Sequence, residues 1–203
     1  MEKSPRALLK NIFGYDEFRP LQEDIIERTL AGHDSFVLMP TGGGKSMCFQ
    51  IPALCFDGIT IVVSPLISLM KDQVQALQSN GIKAAFFNSS ITPQEENSVI
   101  SRAEKGEIQL LYLSPEKLIS VSNTWLQNLN IKLVAIDEAH CVSMWGHDFR
   151  PEYTQLKSFR NSLPDVSFMA LTATADKSAR TDIETQLALH LRQLWIRALV
   201  FAG

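Results

Sequence analysis

Eight residues of this chain, Met39-Pro40-Thr41-Gly42-Gly43-Gly44-Lys45-Ser46, join three consecutive glycines to a lysine and a hydroxyl. The set suits phosphate. Glycines let the backbone curl until successive N–H groups point at phosphate oxygens, and a helix beginning at Ser46 adds the partial positive charge of its N-terminus. Lys45 then reaches the outer phosphates. Ser46 offers a hydroxyl to Mg²⁺, whose oxygen shell is normally completed by substrate phosphates. A pattern of this kind usually carries glycine where Met39 stands, so the sequence departs from it at one position. Much further along, Asp137 and Glu138 place two carboxylates side by side. One can hold a metal through its water shell while the other orients or deprotonates a water for attack on a γ-phosphate. Lys45, Asp137 and Glu138 are the candidate catalytic residues, and Ser46 and Asp137 the candidate metal ligands.

Such groups work only if secondary structure presents them together. Ser35 to Leu38 reads as a short apolar strand, and Met47 to Leu54 as the start of a helix, so the glycine loop sits between strand and helix as phosphate binding requires. A merely glycine-rich turn would need no such context. Leu133 to Ile136 is a second apolar strand that runs directly into Asp137. Further strands are expected at Ile59 to Val63, Ala84 to Phe87, Gln109 to Leu113 and Ser167 to Leu171, with helices between them. Ile67 to Ser79 stops at Gly81. Thr92-Pro93-Gln94-Glu95 is a capping box with proline at the first helical position. Near the start, Ser4-Pro5 caps a helix that stops near Gly14, and a second helix runs from Leu21 to Leu30. Wholly apolar strands alternating with helices predict an α/β domain with a mostly parallel central sheet covered on both faces. Ligands of such sheets bind beyond the carboxyl ends of the strands. The polar clusters Thr41 to Ser46, Ser64-Pro65, Ser114-Pro115, Asp137 to His140 and Thr172 to Thr174 all follow strands, so one edge should collect them.

A chain of 203 residues suits one domain with a sizeable core. Its 19 basic and 22 acidic residues leave a net charge of −3, so no bulk basic field advertises nucleic acid. A local groove or loop must do any such binding. The three cysteines, Cys48, Cys55 and Cys141, have no Cys-x-x-Cys spacing and read as reduced thiols. No apolar run is long enough to cross a bilayer, which gives a cytoplasmic expectation with no membrane partner.

The order of motifs resembles the first RecA-like P-loop domain of a superfamily 2 helicase, and specifically of a RecQ-type DNA helicase, from about Phe13 to about Leu189. Asp137-Glu138-Ala139-His140 matches that family's box, Ser64 to Gln73 its motif after the following strand, and Ala170 to Ala175 its third motif. Phe13-Gly14-Tyr15 with Phe18-Arg19-Pro20-Leu21-Gln22 resembles its adenine clamp. The resemblance implies that Tyr15 stacks on adenine, Arg19 holds the segment and Gln22 bonds the adenine edge. A side-chain amide has the donor and acceptor for that pairing. Thr41, Gly42, Gly43, Gly44, Lys45 and Ser46 complete the ATP site. Cys141 to Tyr153 resembles the family's aromatic-rich loop, which implies DNA contacts from Ser143, Trp145, His147, Phe149 and Arg150. Bases stack on aromatic faces, and an arginine adds charge. His140, Thr172 and Thr174 would pass information between nucleotide and DNA. From the residues alone, ordinary strand-end hydrogen bonding explains those three as well.

The implied activity is ATP- and Mg²⁺-dependent 3'-5' unwinding of single-stranded DNA or single/double-strand junctions in repair and recombination, with a nucleoid association if the source is bacterial. That activity uses a second RecA-like domain absent from this sequence. The expected layout is an ATP-binding domain over 1–189 and an atypical tail over 190–203 that does not resemble the family's continuation. Two readings stand: the motor half of a helicase, or an isolated ATP- and DNA-binding module with little turnover.

Overall fold

Burial on both faces makes the strands of this chain almost wholly apolar, and their alternation sorts each side chain to one side of a sheet. The computed structural model describes residues 4–144 and 149–190 together with the backbone of Ile196–Arg197. Strands β1 (Ser35–Leu38), β2 (Ile59–Val63), β3 (Ala84–Phe87), β4 (Leu110–Leu113), β5 (Ile131–Ile136), β6 (Ser167–Thr172) and β7 (Ile196–Arg197) form one sheet in the order β3-β4-β2-β5-β6-β1-β7. Every described pairing is parallel. The helices are α1 (Pro5–Phe13), α2 (Gln22–Leu30), α3 (Met47–Cys55), α4 (Ile67–Ser79), α5 (Pro93–Glu104), α6 (Pro115–Val121), α7 (Leu156–Asn161) and α8 (Lys177–Gln186).

Two cores flank the sheet. On one face Ile61, Leu111, Val134 and Phe168 pack with Val99 of α5, Leu118 of α6, Phe159 of α7 and Ile183 of α8. On the other face Val37, Val62, Leu133 and Met169 pack with Ile25 of α2, Phe49 of α3 and Val74 of α4. Neighbours in each strand therefore point to opposite layers, as the period of two demands.

Local signals act as the sequence implies. Ser4 accepts the Ala7 N–H ahead of α1, and Gly14 ends that helix in the left-handed conformation at φ 75°. Thr92 and Glu95 exchange both bonds of the capping box at the head of α5. The structure gives bounds to α6 and α7, which the alternation of strands and helices implies without locating, and adds α8 and short 3-10 turns at Ala139–Val142 and Pro151–Gln155. Residues 190–203 are set apart in the sequence reading. In the structure the backbone of Ile196–Arg197 nevertheless pairs with Val37 and Leu38 of β1, and the His190 N–H donates to Asp34 Oδ2 at 2.8 Å. An open β1 edge accepts any extended segment that reaches it.

The amino edge of the sheet is closed by a buried ion pair. Arg160 Nη2 donates to Asp34 Oδ2 at 3.2 Å, with Arg160 5% and Asp34 4% exposed. Asp34 Oδ1 accepts the Phe168 N–H at 2.8 Å, and Arg160 Nη1 donates to the Leu163 and Val166 carbonyls. The guanidinium also lies 4.7 Å from the Phe168 ring centre. The network staples α7 to the starts of β1 and β6.

Candidate active site

All strands run the same way, so the loops after β1, β5 and β6 leave from one edge, and these three strands are sheet neighbours with β6 in the middle. The glycine loop follows β1. Gly42 and Gly44 take positive φ values of 78° and 84°, a region that glycine enters without penalty. A side chain at Gly44 would stand 2.4 Å from Gln22 Nε2, and one at Gly43 would stand 2.8 Å from the Pro40 carbonyl. Two separate constraints thus demand glycine. Thr41 and Gly42 are exposed, while Gly43, Gly44, Lys45 and Ser46 are half-buried. Met39, at the position where the usual pattern has glycine, is buried in the core and leaves the loop shape intact. Lys45 Nζ reaches back to the Met39 carbonyl at 3.4 Å.

The segment ahead of α2 rests directly on this loop. Arg19 Nη1 donates to the Gly42 carbonyl, and Gln22 Nε2 donates to the Gly44 carbonyl at 3.0 Å. Gln22 Oε1 accepts the Arg19 N–H at 2.8 Å. Both ends of the Gln22 amide are therefore engaged within the chain, and its side chain is buried. A hydrogen bond to a base would require exchanging one of these partners. Leu21 between them is held at φ 68°, a strained conformation for a branched side chain. Tyr15, launched from the Gly14 turn, is 54% exposed.

Asp137 and Glu138 leave β5 at the same edge. The Asp137 N–H donates to the Val63 carbonyl at 2.9 Å and the Glu138 N–H to Asp137 Oδ1 at 3.0 Å. Glu138 takes the left-handed conformation at φ 50°, which turns the chain sharply off the strand. Burial, with the neighbouring Glu138 charge adding to it, pushes the Asp137 carboxyl up to about 6. A hydrogen bond from His140 is the main influence holding Glu138 below its ordinary value, and the Lys45 charge helps both carboxylates ionise. Hydrogen bonding to the Cys141 side chain and to Glu138 pushes His140 up to about 10. Its Nδ1 lies 3.2 Å from Glu138 Oε2 and 3.1 Å from Thr172 Oγ1. Thr172 Oγ1 in turn donates to the Thr174 carbonyl at 3.0 Å and accepts the Thr174 N–H at 3.3 Å. A continuous polar path thus joins Glu138 to the turn after β6.

Of the residues expected to meet DNA, Ser143 is buried, Phe149 half-buried and Arg150 exposed. Trp145 and His147 lie outside the described residues. Asp182 of α8 did not emerge from the sequence, yet it accepts hydrogen bonds from both Ser143 and Met144. Nothing in a helix register marks an acidic residue as the partner of a loop 39 positions earlier. Among the described residues, no group of three or more His, Cys, Asp and Glu side chains gathers into a metal-binding cluster. A divalent cation at this edge would draw most of its oxygens from phosphate and water.

Residues 19–182 match the family described as DEAD/DEAH box helicase. This chain belongs to that family. The helicase domain is 54% identical over 192 residues to the ATP-dependent DNA helicase RecQ of Haemophilus influenzae, covering 92% of this chain and 31% of that protein. It is 49% identical over 188 residues to the ATP-dependent DNA helicase RecQ of Bacillus subtilis, covering 91% of this chain and 32% of that protein. The chain thus spans about a third of the length of these curated relatives and aligns with their N-terminal motor domain. Among solved structures, the DUF1998 helicase MrfA bound to DNA superimposes with a TM-score of 0.76 at 19% identity, over 92% of this chain and 28% of that one. That likeness shows the RecA-like fold. No helix among the described residues is long and apolar enough to cross a membrane.

Proposed function

We propose that this chain is the first motor domain of a RecQ-type ATP-dependent DNA helicase, in which ATP binding and hydrolysis drive movement on DNA when a second motor domain closes over the nucleotide. The reading is carried by one observation: the glycine loop after β1 and the acidic pair after β5 leave the same edge of the sheet, on parallel strands separated only by β6. The Lys45 charge favours the ionised form of both carboxylates.

In this reading the N–H groups of Gly42 and Gly44 face the phosphates, Gly43 shapes the loop by donating its N–H to the Pro40 carbonyl at 2.9 Å, and Lys45 exchanges the Met39 carbonyl for a phosphate oxygen. Asp137 and Ser46 fit Mg²⁺, because a buried carboxylate that resists ionisation beside a second carboxylate gains most from a cation. The ion would supply charge neutralisation on the phosphates. Glu138, held ionised by His140, orients the attacking water or accepts its proton. Tyr15 stacks on adenine, Arg19 braces the segment, and Gln22 reads the base after releasing an internal partner. Loss of phosphate contacts at Lys45 reaches Thr172 and Thr174 through Glu138 and His140. Ser143, Trp145, His147, Phe149 and Arg150 form the proposed side for single-stranded DNA or a single/double-strand junction.

The competing reading, a module that binds ATP and DNA with little turnover, is favoured by the internal engagement of Gln22 and Lys45. ATP hydrolysis by the chain mixed with a separately made second motor domain of a RecQ relative, with and without single-stranded DNA, separates the two. DNA-stimulated turnover supports the motor; tight ATP binding with flat hydrolysis supports the module.

A further inference from the structure

The turn that seats the proposed base-contacting segment on the glycine loop runs against local preference. The Gln22 N–H donates to the Arg19 carbonyl at 3.1 Å, and Gln22 Oε1 accepts the Arg19 N–H at 2.8 Å, so these two residues are tied in both directions. With proline in second place and Leu21 at φ 68°, ψ −12°, Arg19-Pro20-Leu21-Gln22 is a type II turn. Its third place suits glycine or asparagine, and here it holds leucine. Leu21 is also the N-cap of α2, where an extended backbone and a capping side chain are usual, and it has neither. Among the described residues, the only others that take a positive φ without being glycine are Glu138 and Ala188. The leucine side chain is half-buried and packs against the cluster of Val37, Met39 and Phe49, which offsets part of the strain. The turn is seated tightly: Arg19 and Gln22 donate to the carbonyls of Gly42 and Gly44, and a side chain at Gly44 would stand 2.4 Å from Gln22 Nε2 and 3.7 Å from Arg19 Cδ.

We propose that Leu21 is a positioning residue for base selection and acts through its backbone: the left-handed turn, not the leucine side chain, sets the Gln22 amide where it can choose between purines. The proposal rests on the reading of Tyr15 to Gln22 as the base-contacting segment. Strain held at one residue persists where the surroundings fix it, and here it brings Arg19 and Gln22 to the same side of the turn, facing the loop. An extended backbone at Leu21 would break the bond between Gln22 and Arg19 and turn the amide away. A side chain held in one pose beforehand also spares the ordering cost that binding would otherwise meet. Losing the turn therefore weakens discrimination between bases, while the glycines and Lys45 still receive the phosphates.

The test is calorimetry of the 203-residue chain with the Mg²⁺ complexes of ATP, GTP and tripolyphosphate. Leu21→Gly and Leu21→Asn accept a positive φ and are expected to keep the ATP-over-GTP preference of the unaltered chain within about twofold, although both lose the packed side chain. Leu21→Ile keeps the apolar bulk but resists the turn. It should lose about tenfold of that preference, the worth of one hydrogen bond, with tripolyphosphate affinity within about twofold. Leu21→Ala, strained and without the packing, should fall between them, and it carries the test if Leu21→Ile does not fold. A packing role gives the reverse order, with Leu21→Gly lowest and Leu21→Ile near the unaltered chain, and that order overturns the proposal. An equal loss of all three ligands in Leu21→Ile, together with a lower unfolding midpoint, overturns it too. A lost preference in Gln22→Ala beside an unchanged Leu21→Ile overturns the role of the turn and leaves the base reading standing. If the unaltered chain binds ATP and GTP alike, or Gln22→Ala leaves the preference where it was, the base reading itself fails and takes the proposal with it.

Discussion

The two edges of the sheet treat their charges in opposite ways. At the amino edge Asp34 and Arg160 are buried together, and each carboxylate oxygen has partners from inside the chain. At the carboxyl edge Asp137 is similarly buried at 6% exposure, yet its carboxylate accepts the adjoining Glu138 N–H, and the strongest charge acting on it is another carboxylate. One edge closes its electrostatics internally. The other leaves them open, at a cost in stability, in the geometry that a cation and a triphosphate would complete. Glu138 adds backbone strain at the open edge, since it takes a left-handed conformation that residues other than glycine rarely adopt.

The largest expected effect concerns what the open edge lacks among the described residues. An arginine supplied from another domain is worth roughly 10³–10⁵ in rate in related phosphate chemistry. Arg150 is exposed on the far loop, and Arg180 Nε donates to the Ala175 carbonyl at 3.0 Å. The 203-residue chain alone should therefore hydrolyse ATP slowly and not unwind duplex DNA, with turnover rising by orders of magnitude on mixing with a second motor domain. Fast DNA-stimulated turnover by the chain alone would remove the contrast.

Next in size is the closed edge. Asp34→Ala leaves the Arg160 charge buried without its partner, which should cost about 3–5 kcal/mol in denaturant unfolding. Nucleotide affinity of the folded fraction should not change. A loss below about 1 kcal/mol would show that the pair contributes little.

Lys45→Ala is the converse. It should weaken ATP binding by about 1.5–3 kcal/mol in calorimetry and leave the unfolding midpoint where it was. Equal affinity in the two proteins would dismiss the glycine loop as a phosphate site.

The smallest effect has the opposite sign. With its carboxyl raised from 3.8 to about 6, folded Asp137 retains a proton that the unfolded chain has already released. Its contribution to stability therefore falls as pH rises from about 4 to about 6, and it stays unfavourable above that. Asp137→Asn should raise the unfolding free energy at neutral pH by on the order of 1–2 kcal/mol and flatten this part of the pH profile, while hydrolysis is lost. A variant less stable than the parent at pH 7 would mean that Asp137 is structurally supported after all.

Legibility in the sequence divides along similar lines. The strands announced themselves because burial on both faces writes unbroken apolar runs, and α5 because a capping box is complete within four residues. The glycine loop and the acidic pair were visible because each is local, and sheet direction brought them to one edge without further information. What was not legible is non-local. Asp34 meets Arg160 across 126 positions, and Asp182 meets Ser143 across 39. Neither pairing leaves a period or a spacing in the chain. The expected role of Gln22 on adenine gave no hint that its amide would already be shared between Arg19 and Gly44, because a hydrogen bond to a glycine carbonyl has no sequence signature. The short helix α8 shows a weaker case: its N-cap Asp176 was readable in principle, but few apolar residues follow it.

Strand order also carries a consequence for synthesis on the ribosome. The glycine loop is made early, but β1 that holds it pairs only with β6 and β7 among the described strands, and Ser35 faces Met169. The first strand to emerge waits for two of the last. Meanwhile β2, β3, β4 and β5 can pair among themselves, so a half-sheet is available before β1 has anywhere to dock. Nascent chains arrested before β6 has left the exit tunnel should therefore be unable to retain ATP, although every residue proposed to touch the phosphates has long been translated. On this strand order the proposed nucleotide pocket would be completed only once β6 is made.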